Sequence, residues 1–242
     1  MSMNYRNAFT LIEMLIVIGI IALLAGLTLG ISNKVLRGSE IRKTKDAITL
    51  LDTAISEWQS EMGRPITFES AGAPAGNYDI ASDEILQAPS FVSAVSQEDM
   101  EVAMSERATA LWVLLTELES SKQILAKIHP DLIEQDADGR TRVIDSWGMT
   151  IGVVFPCSDY RKSDLAGNTL AEDQSGDLTV RDQGEDGLGS CVNKQLYFVS
   201  SGPDALWGYR YQANPFNRDS EIWNACLDNL TSYEPFIVED AR

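Results

Sequence analysis

Residues 9–31 read Phe-Thr-Leu-Ile-Glu followed by an apolar run that reaches Ile31, broken only by two threonines and one acid, Glu13. Residues 14–31 hold no charge at all. As a helix, residues 9–31 would be about 34 Å long at 1.5 Å per residue, enough to span a bilayer core of roughly 30 Å. A helix that is apolar on every face has to be covered by lipid or by other protein. Glu13 is the exception. A charged side chain inside hydrocarbon costs about 2.5–3.5 kcal/mol on insertion scales, so a carboxylate held there implies a function and a partner.

The helical pattern continues past the run. Ile41, Ile48, Leu51, Ile55, Trp58 and Met62 recur at steps of three, four or seven, one narrow apolar stripe. Gly63-Arg64-Pro65 then stops the helix, Gly as the cap and Pro just beyond it. The expectation is one helix from about Thr10 to Met62. Its first half needs lipid or sister helices, and its second half needs a folded head against the stripe.

Residues 64–105 are rich in small, polar and acidic residues, with an irregular loop over residues 71–77 and short helical starts near Ser82 and Ser96. Residues 106–128 predict a firmer helix, with Leu111, Leu114, Leu115, Leu118 and Leu125 on its apolar face and Pro130 closing it. His129, the one histidine, reads as a cap or exposed residue. From Val143 the period shifts to two, and residues 150–155 and 194–199 read as strands. Residues 158–190 form an acidic insertion, mostly loop, with a short strand at 177–180. If the two strands pair antiparallel, Cys157 and Cys191 lie just outside the same end of the hairpin. That favours a Cys157–Cys191 disulfide, contributing roughly 3–4 kcal/mol in the chain-entropy model, with Cys226 left over. The fold class is α+β, a long N-terminal helix packed on a small antiparallel sheet.

The formal charge of −17 on 242 residues repels a nucleic-acid backbone, so direct nucleic-acid binding is not expected. No Ser/His/Asp or Cys/His set, zinc spacing or phosphate-cradling glycine loop occurs, so no enzyme is expected. Residues 134–145 have the spacing of a calcium-binding EF-hand loop with its end residues exchanged in type, and read as a tight turn leading into a strand. Only Arg6 precedes the apolar run, whereas Lys34, Arg37, Arg42, Lys43 and Lys45 follow it. The positive-inside rule alone puts those five in the cytoplasm.

Ala8-Phe9-Thr10-Leu11-Ile12-Glu13 with its apolar run resembles the cleavage and methylation signature of type IV pilins and pseudopilins. The resemblance implies that a prepilin peptidase cuts between Ala8 and Phe9, where the family usually has Gly before the cut. It implies N-methylation of Phe9. It also implies that Glu13 pairs, in a filament, with the new amino terminus of a neighbouring subunit. Two charges that are each costly in lipid then form one satisfied pair that sets axial register. The implied organisation is a leader over residues 1–8, a transmembrane half-helix over 9–33, an amphipathic half over 34–63 and a periplasmic head over 64–242. The leader is then cytoplasmic, against the positive-inside count. The implied partners are copies of the chain, other pilin-like subunits, the prepilin peptidase and an inner-membrane assembly platform. The implied location is the inner membrane, single-pass, before assembly into a pilus or pseudopilus.

Asp145-Ser146-Trp147-Gly148 resembles the Asp-Pro-Trp-Gly of major pseudopilins of type II secretion. Residues 196–204, ending Ser200-Ser201-Gly202-Pro203-Asp204, resemble the strand and Ser-x-Gly-x-Asp turn of those proteins, and Asp219-Ser220-Glu221-Ile222 their acidic segment. This second resemblance implies one bound calcium, held by Asp204 and Asp219, with Glu221 and the carbonyls of Leu196 and Ser200 as further oxygens. The expected role is a structural subunit of a type II secretion pseudopilus. The alternatives are a type IV pilin or minor pilin in adhesion, motility or DNA uptake, and, from another class, a membrane-anchored exported enzyme or sugar-binding protein.

Overall fold

The computed structural model describes residues 11–69, 78–81, 97–136, 139–156, 158–161, 177–180, 188–208 and 225–235. The chain divides into two compact units, Met1–Arg42 and Lys43–Arg242. Helix α1, Leu11–Met62, begins in the first and ends in the second.

In the first unit, every side chain described over residues 11–24 is exposed. Leu11 is 83% exposed, Ile18 64% and Leu23 64%. Among the described residues no helix is long and apolar enough to cross a membrane. The described side chains of the apolar run, residues 11–24, cover only about 21 Å of helix.

In the second unit, α1 supplies the spine of the head. Thr44, Ala47, Ile48, Leu51, Ala54, Ile55 and Trp58 are all buried. The stripe stops there, because Met62 is 47% exposed. Ala47 and Ala54 widen the buried face, and their small side chains let other elements approach the helix. Gly63 terminates α1 at φ +69°, its N–H bonding Gln59 O at 2.9 Å, a left-handed cap that glycine adopts without strain. Just beyond, Arg64 forks onto Asp79 at 2.6 and 2.7 Å and lies 5.1 Å over the Trp58 ring. Asp79 also accepts from the N–H and hydroxyl of Thr67 at 2.9 and 3.0 Å. These bonds hold together the parallel pair β1, Phe68–Glu69, and β2, Ile80–Ala81.

The helix expected over residues 106–128 differs in both ends. Helix α2 runs Gln97–Glu117 and α3 runs Glu119–Leu125. The break is at Leu118, which is extended (φ −98°, ψ 122°). Its cause is visible on α1, where Ser121 Oγ bonds Ala54 O at 3.0 Å and Ser120 Oγ bonds Glu61 Oε2 at 2.7 Å. His129 caps the following turn, its Nδ1 accepting the Asp131 N–H at 3.3 Å.

Strands β3, Ile133–Gln135, and β4, Thr141–Val143, form an antiparallel hairpin. Its turn is fixed by Asp136, whose carboxylate accepts from both Arg140 N and Arg140 Nε at 2.8 Å. The acidic stretch with EF-hand spacing is therefore a hairpin turn. Strands β5, Gly152–Val154, β6, Ser158–Arg161, β7, Asp177–Val180, β8, Tyr197–Ser200, and β9, Leu230–Thr231, complete the sheets. β5 pairs antiparallel with β8 and β8 with β9, and β6 pairs with β7 inside the acidic insertion. The strand period of two sorts the β5–β8 side chains between two cores. Val153, Phe155, Leu196 and Phe198 join the α1 core, where Phe155 stacks on Phe68 at 4.8 Å. Val154, Tyr197 and Val199 join Met100, Met104, Leu188 and Trp207 in a second cluster.

Candidate functional site

Two places carry the residues singled out by sequence. The first is the start of α1. Glu13 lies in its first turn, where the helix macrodipole favours a negative charge. The exposed side chains around it are apolar, from Leu11 and Ile12 to Leu24. Ala8 and Phe9 lie outside the described residues.

The second place is the end of the sheet in the head. Asp145 is its hub, only 1% exposed. One carboxylate oxygen accepts from Trp147 N at 2.9 Å and Met149 N at 3.0 Å, and the other from Ser200 Oγ at 2.7 Å. Burial pushes the Asp145 carboxyl above its ordinary range, and the bonds from Ser200, Met149, Trp147 and Gly148 oppose that shift without cancelling it. Ser146 ties the turn to α1, its N–H donating to Thr44 Oγ1 at 3.1 Å.

From Asp145 the contacts lead into the Ser-x-Gly-x-Asp turn. Ser200 Oγ accepts from Gly202 N at 3.1 Å. Gly202 has φ +77°, and a Cβ there would stand 2.5 Å from Asp228 O, so no other residue fits without a shift of backbone. Asp204 Oδ1 accepts from Leu206 N at 2.9 Å. Asp228 lies beside Asp204, and its carboxyl pKa is raised by burial and then by the neighbouring Asp204 charge. Trp207, fully buried, locks the turn onto α2. Its Nε1 donates to Glu101 at 3.0 Å, and Glu101 in turn accepts from Thr150 N and Oγ1 at 3.2 and 2.6 Å.

The structure thus places Asp204 beside Asp228, an acid that sequence reasoning missed. Asp219 and Glu221 lie outside the described residues. The Ser200 hydroxyl is committed to Asp145, which leaves its carbonyl and that of Leu196 as the oxygens the sequence offered. Among the described residues no three His, Cys, Asp or Glu side chains converge as a metal centre. What does fit a hard cation is the character of the oxygens present. Asp228 Oδ1, Asn229 Oδ1 and Ser201 Oγ are buried without a hydrogen-bond partner among the described residues, in the stretch that β8 and β9 bring together. A buried oxygen without a donor is destabilising unless something positive faces it. The signal in sequence was the placement of Asp228-Asn229 directly before Leu230-Thr231, the strand β9.

Cys157 lies outside the described residues, so its pairing is not placed. Cys191 Sγ is 3.7 Å from Val154 O at the exit of β5, the end of the hairpin that leads to Cys157. Cys226 is buried, 3.7 Å from Trp207 O.

No curated protein and no solved structure matches this chain. A family model does, over residues 3–29, the prokaryotic N-terminal methylation motif. Those residues contain Ala8, Phe9 and Glu13 and most of the apolar run. The chain therefore carries the hallmark of prepilin-type proteins of the type IV pilin and pseudopilin family.

Proposed function

We propose that this chain is a structural subunit of a type II secretion pseudopilus. It is cut between Ala8 and Phe9, methylated on Phe9, held in the inner membrane by residues 9–33 and then drawn into a periplasmic fibre. The carrying observation is the methylation motif joined to a helix whose described side chains over residues 11–24 are exposed on every face. Such a surface is covered either by lipid, before assembly, or by the same helices of neighbouring subunits, after it. Glu13 then exchanges an expensive carboxylate for an ion pair with a neighbour's amino terminus.

The type II assignment draws its support from the head. The Asp145 turn and the Ser200–Asp204 turn meet through one buried hydrogen bond. We assign a calcium ion to that end of the head, with Asp204 and Asp228 as its carboxylates and neutral oxygens such as Asn229 Oδ1 completing the shell. The ion would neutralise two adjacent acids and satisfy the buried Asp228 oxygen. Deleting the gene in its host separates this reading from the pilin alternative. Loss of secreted enzymes with surface pili intact supports the pseudopilin. Loss of adhesion, motility or DNA uptake with secretion intact assigns the chain to a surface pilus instead.

A further inference from the structure

Charge is arranged along this chain in blocks of opposite sign. Residues 14–31 carry none, residues 32–45 carry five Lys or Arg against one acid, and residues 46–242 carry 13 against 34 acids. The basic block starts where the apolar run ends. Within the first compact unit, Arg37 and Arg42 of α1 are exposed. They stand about 9 and 16 Å along the helix from Ile31.

Helical Cα–Cβ bonds tilt toward the helix N-terminus. If residues 9–31 sit in a bilayer, the Arg37 and Arg42 side chains therefore lean back toward it, and long basic side chains extend their charged heads to the interface. The headgroup layer adds roughly 5–8 Å on each side of the core, and the field of an anionic surface reaches a further ~8–10 Å in physiological salt. The Arg37 guanidinium reaches back into the headgroup layer, and Arg42 lies in its field.

We propose that Arg37 and Arg42 bind the anionic headgroups of phospholipids on the side of the membrane that carries the head. This rests on the membrane-anchored reading above. A nucleic acid is the wrong polyanion, because it would extend beyond two cations into a chain of strongly negative charge. A lipid headgroup is small enough to meet the cations alone, and screening removes the distant acids of the head. The contact also gives the basic block a role on the flank where the positive-inside rule disfavours it.

The test uses the full chain in detergent micelles doped with equal amounts of phosphatidylglycerol and phosphatidylcholine. Lipid co-eluting with the protein on gel filtration is counted by mass spectrometry. Wild type should enrich phosphatidylglycerol, and 1 M NaCl should abolish the preference. Each cation near an anionic surface is worth roughly a fivefold change in binding, so Arg37→Gln/Arg42→Gln should lower the enrichment by about tenfold or more. Arg37→Lys/Arg42→Lys should keep it. Far-UV circular dichroism confirms that each variant stays folded. A glutamine variant that retains the wild-type lipid ratio overturns the proposal, as does a wild type that takes up both lipids equally. Failure to take up either lipid would overturn the membrane-anchored reading as well.

Discussion

Ser200 Oγ donates to Asp145 Oδ2 at 2.7 Å, a buried bond across 55 residues of chain that joins the Asp145 turn to strand β8. Asp145 also holds the N–H groups of Trp147 and Met149. Asp145→Ala would leave the buried Ser200 hydroxyl and the part-buried Trp147 and Met149 N–H groups without their acceptor, at about 1–3 kcal/mol for a fully buried donor and less for the others. The expected loss is about 3 kcal/mol or more by urea denaturation, against about 1–2 kcal/mol for Ser200→Ala.

The pH dependence of this site runs opposite to that of the Arg64–Asp79 clamp. The Asp145 carboxyl titrates higher in the fold than in the unfolded chain. Its contribution is fully present below the unfolded pKa and is lost as pH rises through the folded one. Asp79 is held low, chiefly by the Arg64 hydrogen bond. Its contribution is fully present above the ordinary aspartate value of 3.8 and is lost as pH falls through the folded pKa below it. The stability gap between wild type and Asp79→Asn should stay constant from neutral pH to about 4 and close in stronger acid. The gap for Asp145→Asn should instead narrow as pH rises. Paired denaturant melts across pH check both slopes.

The stripe on α1 makes a contrast within one helix. Leu51 and Ile55 are 4% and 3% exposed, whereas Met62 is 47% exposed. Leu51→Ala and Ile55→Ala should each destabilise the head by about 2–5 kcal/mol, and Met62→Ala by less than about 0.5 kcal/mol. Thermal or urea melts of the three variants measure this directly.

For calcium, melting with and without a chelator gives the outcome. The assignment expects a higher midpoint with calcium present, and expects Asp204→Ala and Asp228→Asn each to remove that difference. A chelator without effect on wild type argues against the ion. Gly202→Ala should destabilise the head in either buffer, because its φ of +77° and the nearby Asp228 carbonyl both exclude a side chain.

Local features of this chain were legible in sequence, and long-range ones were not. The end of α1 could be read because Gly63-Arg64-Pro65 enforces it on the spot, and β5 and β8 because their residues alternate between two cores. The strand expected at 177–180 is present, and the antiparallel pairing of β5 with β8, which the sequence reading set only as a condition, is observed. The break at Leu118 was missed because its cause sits on α1, at Ala54 and Glu61. The start of α2 at Gln97 agrees with the helical start read near Ser96; its continuity with the leucine helix was missed because the apolar residues of its first turns, Met100, Ala103 and Met104, face a different core from the leucines that follow. Asp228 was missed because only the pairing of β8 with β9 brings it to Asp204.

The central claim concerns Phe9 and Glu13, and it is tested most directly by mass spectrometry of the N-terminal peptide from cells that contain a prepilin peptidase. The account predicts a chain that begins at an N-methylated Phe9, with residues 1–8 absent. A chain that retains Met1 and Ala8 in those cells, or begins at an unmodified residue elsewhere, would contradict it.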